Sequence, residues 1–155
     1  VCEQALPDRE KLLPVFEALL ILIEHMKEQE EIIWIATYIR WEIGFVGALG
    51  LSLELSACTV TGTNDDLSFV SPKTGRAVSK EIGLKYSAKL LKLPAFLTQK
   101  GFKKATEFID GLNLTGYFLR RHVFAAYNKP APNARERFQD RVQTKYGELV
   151  DATQG

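Results

Sequence analysis

The chain has 155 residues, of which 46% are hydrophobic and 25% charged, the composition of an ordinary globular protein with a single core. Its most apolar run, residues 15–23, has nine residues and contains Glu17, so it is far shorter than the roughly 20 residues that a membrane span needs. The formal net charge is only +1, but residues 1–66 carry twelve acids against four lysines and arginines, and residues 67–155 carry seven acids against sixteen.

The opposite charges of the two halves fit either an anionic partner for the second half or attraction between the halves on folding. No basic region precedes an apolar one at the N-terminus, so a secretion signal is not indicated. Two cysteines, Cys2 and Cys58, are typical of a reducing compartment, with a single disulfide as the alternative. We expect a cytoplasmic protein.

A helix over residues 32–50 organises the predicted fold. It carries two apolar stripes at helical spacing, one through Ile32, Ile35, Ile39, Ile43 and Val46 and the other through Trp34, Tyr38, Trp41 and Phe45. Because such a helix is apolar on most of its circumference, we expect it to be largely buried. Residues 11–28 form a preceding helix, and the short polar connection makes the two helices an antiparallel pair. Gly50 is expected to cap the organising helix.

The later elements are shorter. Residues 51–55 alternate in an extended pattern, and the turn Ser71-Pro72-Lys73-Thr74-Gly75 joins two strands, 67–70 and 76–79, into a hairpin. A short helix is predicted over residues 86–93, a long one over 103–126 and a polar one over 134–146. The core face of the long helix comprises Phe108, Leu112, Thr115, Leu119 and Val123.

Arg40 is the one cation within the apolar run of the organising helix, and it shares a face with four small residues, Ala36, Thr37, Gly44 and Gly47. An arginine cannot discharge itself, so burial without a carboxylate costs several kcal/mol or more by rough estimate. Two interpretations stay open. Arg40 pairs internally with Glu42, Glu17 or another nearby acid, or the groove beside it receives a carboxylate from another chain.

Catalytic chemistry finds no support in the pattern. His25 and His122 lack a second histidine or cysteine at ligand spacing, neither cysteine lies in a nucleophile motif, and no glycine-rich phosphate loop is present. Acids crowd the first half, but no spacing singles out a catalytic pair. We therefore expect a protein that is not an enzyme.

The order of parts resembles the C-terminal part of the bacterial recombination mediator family RecO, over roughly residues 10–142. The resemblance rests on Ile39-Arg40-Trp41-Glu42 in the second helix, then Leu49-Gly50-Leu51, the Cys58 loop, and the hairpin turn 71–75. Residues 114–122 also look like the last long helix of that family. The resemblance implies a mainly α fold, a helical domain over residues 1–155 with a small β-hairpin insertion at 56–83 that is a degenerate zinc-ribbon-like element.

The chain departs from the family pattern in two ways. Many members carry four cysteines in two C-x-x-C pairs, which would hold zinc. Here Cys58 stands with Thr61, Ser79 and Ile82 in place of the others, so we expect no metal and a hairpin held by packing. The family also has an N-terminal OB-fold domain, the usual single-strand platform, and we expect that domain to be absent from this chain.

The resemblance implies a non-enzymatic role in recombinational DNA repair. In that family the helical domain is thought to receive the acidic, hydrophobic C-terminal tail of single-strand-binding protein, and the protein acts with RecR to load RecA. DNA contacts would lie mainly in the N-terminal domain. Arg40 best matches a receptor for the tail carboxylate, Trp41 and Phe45 are candidate groove walls, and Arg120 and Arg121 are candidates for phosphate or partner contacts.

The sequence also fits four alternatives. The basic pair Arg120 and Arg121 also fits a solvated helix face. A purely structural domain that supports a DNA-binding neighbour predicts that Arg40 is paired inside the monomer, whereas a small enzyme predicts a pocket with convergent titratable groups. Direct DNA binding by the basic second half would show a steep dependence on salt.

Overall fold

The computed structural model describes residues 20–23, 25–48, 51, 53–58, 62, 66–98, 104–125 and 133–154. Residues 20–23 are helical and a turn follows at His25 and Met26, so the first helix ends before the predicted boundary at Glu28. The predicted residues 11–19 of that helix and the Gly50 cap lie outside the described residues.

The organising helix, α1, runs from Glu28 to Ala48 and so begins four residues earlier than predicted. One face enters the core through Ile35, Tyr38, Ile39, Glu42 and Val46. The expectation that the helix is largely buried is wrong, because its opposite face is exposed along the whole length of the helix. Helix α1 therefore has more apolar surface than the rest of the described fold covers.

A small antiparallel sheet follows, with strand order β2-β1-β3. Strands β1 (Leu67–Val70) and β2 (Ala77–Ser79) form the predicted hairpin. Gly75 in its turn has φ +70°, a conformation that favours glycine, and its N–H donates to the Ser71 carbonyl. Strand β3 (Leu91–Lys92) pairs with the other edge of β1 and was not predicted. Of the described residues in the predicted extended segment 51–55, Glu54 alone forms a bridge, to Arg76.

The prediction of a helix over residues 86–93 is wrong. A short helix, α2 (Lys80–Gly83), leads directly into a 3₁₀ helix, Leu84–Lys89, before β3 begins. This 3₁₀ helix is kinked at Tyr86, whose φ of −127° and ψ of 20° are not helical. Gly83 lies against the ring of Phe69 so closely that a Cβ atom would overlap the ring. The connection from β2 to β3 is therefore pinned to the sheet at one point, and its outer residues remain exposed.

Two helices complete the fold. The predicted long helix is found as α3 (Glu107–Phe118), which continues as a π-helical segment, Leu119–Phe124. The final helix, α4 (Asn133–Gln154), is longer than predicted. A short 3₁₀ turn, Ala95–Leu97, lies between β3 and α3. None of the helices in the described part of the chain is long and apolar enough to cross a bilayer.

Helices α1 and α3 contribute to two adjoining clusters of buried side chains. One lies among the helices and includes Ile39, Phe108, Leu112, Phe138 and Tyr146. The other lies under the sheet and includes Val46, Val70, Ala77, Leu114 and Phe118. The predicted core residues Phe108, Leu112, Thr115 and Leu119 are all buried, whereas the side chain of Val123 lies outside the description.

Because Gly83 lies so close to the Phe69 ring, the stability of the domain should depend on the side-chain volume at position 83. We expect Gly83→Ala to lower the free energy of unfolding by about 1–3 kcal/mol, because the new methyl group must displace the Phe69 ring. Urea denaturation measures this difference.

Gly44→Ala is the matched control, because a Cβ atom at Gly44 on α1 would contact nothing within 4 Å. Alanine should there stabilise the helix by about 0.5–1 kcal/mol. Equal stability of the Gly83→Ala variant and the parent chain would contradict the packing described.

Candidate partner-binding site

A fully buried ion pair fixes α1 against α4. Nε of Arg135 lies 2.7 Å from Oε1 of Glu42, and Nη2 of Arg135 lies 3.0 Å from Oε2. The side chain of Arg135 is 1% exposed and that of Glu42 0% exposed. This two-point geometry matches the planar guanidinium fork to the carboxylate.

The remaining polar atoms of the pair are also hydrogen-bonded. Nη2 of Arg135 donates to the Leu112 carbonyl and to Oγ1 of Thr115, each over 3.1 Å, and Nη1 donates to Gln139 over 2.9 Å. The Thr115 hydroxyl in turn donates to Oε2 of Glu42. Helices α1, α3 and α4 therefore meet at one polar network inside a mainly apolar core.

The network changes the titration of its neighbour. Burial and then the negative charge of Glu42 raise the pKa of the Tyr38 hydroxyl well above its usual range, against the weaker opposite effect of Arg135. Burial alone would lower the pKa of Arg135, but the charge of Glu42 and the hydrogen bonds to it outweigh that effect and raise it. The ring is thus neutral and the guanidinium charged at any physiological pH.

The ion pair of Glu42 excludes one interpretation of Arg40. Glu42 pairs with Arg135, so the interpretation in which Arg40 pairs with Glu42 is wrong. The reason is helical geometry. Positions 40 and 42 point to different faces of α1, and of these two positions only 42 faces α3 and α4. Glu17 lies outside the described residues.

The face of α1 that carries Arg40 is exposed. Its residues recur at helical spacing and comprise Glu30, Ile33, Trp34, Thr37, Arg40, Trp41 and Gly44. Ile33 is 65% exposed, Trp34 37% and Trp41 36%. Below, the α1 stripe means these seven residues. It is a mostly apolar surface with one cation towards its C-terminal end.

The guanidinium of Arg40 is held by the 3₁₀ turn Ala95–Leu97. Nη2 donates to the Phe96 carbonyl over 3.1 Å, and the guanidinium carbon lies 5.5 Å from the centre of the Phe96 ring. Of the small neighbours predicted beside Arg40, Thr37 and Gly44 are exposed, whereas Ala36 is buried. Among the described residues no carboxylate lies within ion-pair distance of Arg40.

The two predicted groove walls stack on each other. The rings of Trp41 and Phe45 lie 5.5 Å apart with 15° between their planes, and Tyr38 stacks on Trp41 at 6.1 Å. Stacking between residues four positions apart fixes the Trp41 ring on one side of Arg40. Arg40 and Trp41 therefore lie near the C-terminal end of the α1 stripe, and Phe45, which is half-buried and lies outside the stripe, packs against Trp41.

Arg120 and Arg121 lie on the π-helical segment and are exposed. Nη1 of Arg120 lies 3.1 Å from Oε1 of Glu136, while Arg121 donates to the Tyr117 hydroxyl over 2.7 Å and lies over its ring. Each is engaged on the surface of the domain, and neither lies on the helix that carries Arg40.

Cys58 carries a buried thiol in the cluster under the sheet. Its sulfur accepts a hydrogen bond from the backbone N–H of Ser79 over 3.3 Å. Within the described ranges, no three histidine, cysteine or acidic side chains are close enough together to hold a metal ion. Thr61, the first of the three residues that stand in place of zinc ligands, lies outside them.

The chain matches the family model described as Recombination protein O C terminal over residues 1–130, most of its length. The chain belongs to the RecO family. DNA repair protein RecO of Rhodospirillum rubrum is 41% identical over 148 residues, which cover 92% of this chain and 59% of the relative. The RecO proteins of Rhodospirillum centenum and Caulobacter vibrioides (strain NA1000) are 43% and 46% identical, covering 91% and 92% of this chain and 56% and 58% of the relatives.

The chain thus spans less than 60% of the length of these RecO relatives. No solved structure matches it at a significant level. Membership in the RecO family confirms the resemblance read from Ile39-Arg40-Trp41-Glu42 and the later motifs.

Sequence reasoning missed the role of Arg135. A signal was available, because Glu42 is an acid on the apolar face of α1 and needs a buried cation, and Arg135 follows Ala134 at the start of a helix whose apolar residues recur every four positions: Ala134, Phe138, Val142 and Tyr146. The partner could not be chosen by spacing, since 93 residues separate the two.

The buried ion pair predicts that losing one charged partner costs more stability than losing both. Glu42→Gln leaves Arg135 charged and uncompensated, so we expect the free energy of unfolding to fall by about 3–5 kcal/mol. Replacing both partners, Glu42→Leu with Arg135→Leu, should cost less than Glu42→Gln alone, because no charge is then left without its partner.

Arg120→Gln is the control on the surface, where loss of the pair with Glu136 should change stability by no more than about 1 kcal/mol. Chemical denaturation followed through tryptophan fluorescence measures all three variants. Similar losses for Glu42→Gln and Arg120→Gln would refute the structural role of the buried pair.

Proposed function

We propose that this chain is the partner-docking domain of a non-enzymatic recombination mediator in DNA repair. In this proposal the α1 stripe receives the acidic, hydrophobic C-terminal tail of single-strand-binding protein, and the complete protein acts with RecR to load RecA onto DNA. DNA would be bound mainly by the OB-fold domain that the family resemblance implies. Membership in the RecO family supports the repair role.

The observation that carries the docking site is the environment of Arg40. Its guanidinium is exposed, donates one described hydrogen bond, and has no carboxylate within ion-pair distance in the described part of the chain. A guanidinium has five N–H donors in a fixed fork, so most of its capacity is available to a ligand. A terminal carboxylate is the planar acceptor that such a fork binds in two-point geometry.

The surface beside Arg40 suits an apolar residue next to that carboxylate. Trp41, stacked on Phe45, forms an aromatic wall, and a Cβ atom at Gly44 would contact nothing within 4 Å. A side chain at position 44 would lean towards positions 40 and 41, so the glycine leaves that space open. Further along the same face, Ile33 and Trp34 offer apolar area to the preceding tail residues.

The Arg40 side chain is also positioned in advance. Its hydrogen bond to the Phe96 carbonyl and its position near the Phe96 ring restrict the rotamers of a long side chain. A ligand therefore does not have to order the cation at full entropic cost. Phe96 itself is held in the core by an edge contact with Phe108.

The hydrogen bond between Arg40 and Phe96 also favours a second candidate function, a structural domain that supports a DNA-binding neighbour and binds no tail. In that case the bond from Arg40 to the Phe96 carbonyl pins the turn Ala95–Leu97 to α1 and serves stability alone. The two functions differ in what Arg40→Ala removes: affinity for a peptide in the first, stability of the domain in the second.

The test is a titration with an acidic peptide that ends in an apolar residue and a free carboxylate, followed through Trp34 and Trp41. We expect saturable binding, and Arg40→Ala should weaken it roughly tenfold to a hundredfold, because hydrogen bonds to a charged group contribute about 1.5–3 kcal/mol. Gly44→Leu should weaken binding as well by filling the space beside Arg40, without a change in the core.

Two controls isolate the carboxylate. The same peptide with an amidated C-terminus should bind weakly to every variant, and Arg137→Ala, which removes an exposed arginine from α4, should bind like the parent chain. Failure of the folded parent chain to bind the free-acid peptide, together with lower stability of Arg40→Ala, would instead favour the structural function.

A further inference from the structure

The cations of the second half are concentrated in one segment. Between residues 73 and 104 the sequence carries nine lysines and arginines and a single acid, Glu81. This segment is a third of the second half and holds more than half of its basic residues. Those of its cations that the structure describes are all exposed: Lys73, Arg76, Lys80, Lys85, Lys89, Lys92 and Lys104.

The centre of the segment is the 3₁₀ helix Leu84–Lys89, in which all six residues are exposed. It follows α2, whose Gly83 rests on the Phe69 ring, and leads into β3, where Lys92 is the cross-strand partner of Phe69. Directly opposed residues of antiparallel strands point to the same face of a sheet. The 3₁₀ helix and Lys92 therefore lie on one side of the sheet.

An aromatic ring lies among these lysines. Tyr86 is 58% exposed and stands between Lys85 and Lys89, and Leu84 before it is 60% exposed. Side chains as exposed as these contribute little to the core. The segment is instead packed against the sheet at Gly83, which lies directly on the Phe69 ring. We define the Tyr86 surface as Leu84, Lys85, Tyr86 and Lys89.

The lysines of the Tyr86 surface have no internal counter-charge in the described part of the chain. Neither Lys85 nor Lys89 lies in an ion pair there. Lys92 and Lys104 differ, because their charges act on Asp110, a partly buried acid. Burial raises the pKa of the Asp110 carboxyl, and the two lysines offset that rise only in part. Lys85 and Lys89 are therefore available to a ligand.

We propose that the Tyr86 surface binds single-stranded nucleic acid, with a base stacked on the Tyr86 ring and the backbone phosphates contacted by Lys85 and Lys89. This is a nucleic-acid contact within the helical domain itself, separate from the α1 stripe and from any OB-fold domain. Stacking on an exposed aromatic ring beside a basic track is how single strands are bound without sequence preference.

The arrangement favours a nucleic acid over an acidic peptide. Lysine is a flexible point charge that suits phosphates, whereas two-point recognition of a carboxylate suits arginine, and the Tyr86 surface contains no arginine. Its residues stand on an exposed 3₁₀ helix with no described groove to hold apolar side chains. A base offers a flat face to an exposed ring without needing such a groove.

The Tyr86 surface is also distant from the N-terminal end of α1. The sheet packs with Val46 near the C-terminal end of α1, while Lys27 stands beside the N-terminal end of this 21-residue helix, about 30 Å away along its axis. Lys27 and Arg137 of α4 are exposed, so they provide a matched removal of two charges.

The experiment measures fluorescence anisotropy of a labelled oligothymidylate of about 20 nucleotides with the 155-residue chain at several salt concentrations. We expect Lys85→Gln with Lys89→Gln to weaken binding about tenfold and to reduce the slope of log affinity against log salt by about one. Tyr86→Ala should weaken binding at least fivefold or so, and Tyr86→Phe should retain it, because the ring and not the hydroxyl stacks.

Lys27→Gln with Arg137→Gln should leave the affinity within about twofold of the parent chain. An equal loss in this control would show that the net charge alone binds DNA, and it would overturn the site, as would a Tyr86→Ala variant that binds like the parent chain. Titration with the free-acid peptide should be unchanged in the Tyr86→Ala variant, so failure of this site is distinguishable from failure of the α1 stripe.

Discussion

The described fold depends on one constraint, that the carboxylate of Glu42 inside the core must be balanced by Arg135. The pair is completely buried and every described bond of the guanidinium goes to a residue of α1, α3 or α4. Apolar packing alone tolerates small shifts between helices, whereas a two-point ion pair allows one register. In this protein we infer that the pair fixes how α4 docks, since a one-residue slip would bury both charges without partners.

The same constraint divides α1 into two functions. Position 42 turns the helix so that Tyr38, Ile39 and Val46 enter the core, and the opposite stripe with Trp34 and Arg40 is left outside. A helix with apolar residues around most of its circumference can therefore be both the centre of the core and a binding surface. The buried cation of the domain serves its structure, and the exposed cation of α1 is available for a ligand.

The sequence was sufficient where the interactions are local. The turn 71–75 was predictable because a serine, a proline and a glycine stand where a tight turn needs them, and the core face of α3 was predictable from its periodicity. Strand β3 was not, because two residues carry no period and are held by their neighbour β1. The helix expected over residues 86–93 failed for the related reason that pairing with β1 outweighed local propensity.

The candidate site was predictable only in part. The spacing of Trp41 and Phe45 predicted their contact, whereas the role of these residues and Arg40 as a binding site stays a prediction. The exposure of the stripe could not be predicted from the sequence. Apolar residues indicate a surface that is favourable to bury, but not whether another element of the fold packs against it. Arg135 was missed because an arginine is expected to be solvent-exposed unless a distant partner buries it. The Tyr86 surface was missed because the sequence predicts a regular helix over residues 86–93.

The separation of 93 residues between Glu42 and Arg135 has a consequence for synthesis on the ribosome. At typical translation rates, on the order of ten seconds pass between the appearance of the two residues. During that interval α1 and α3 have no cation to neutralise their shared carboxylate, and the apolar face awaiting α4 is uncovered. Folding of this domain is therefore completed only after α4 has left the exit tunnel.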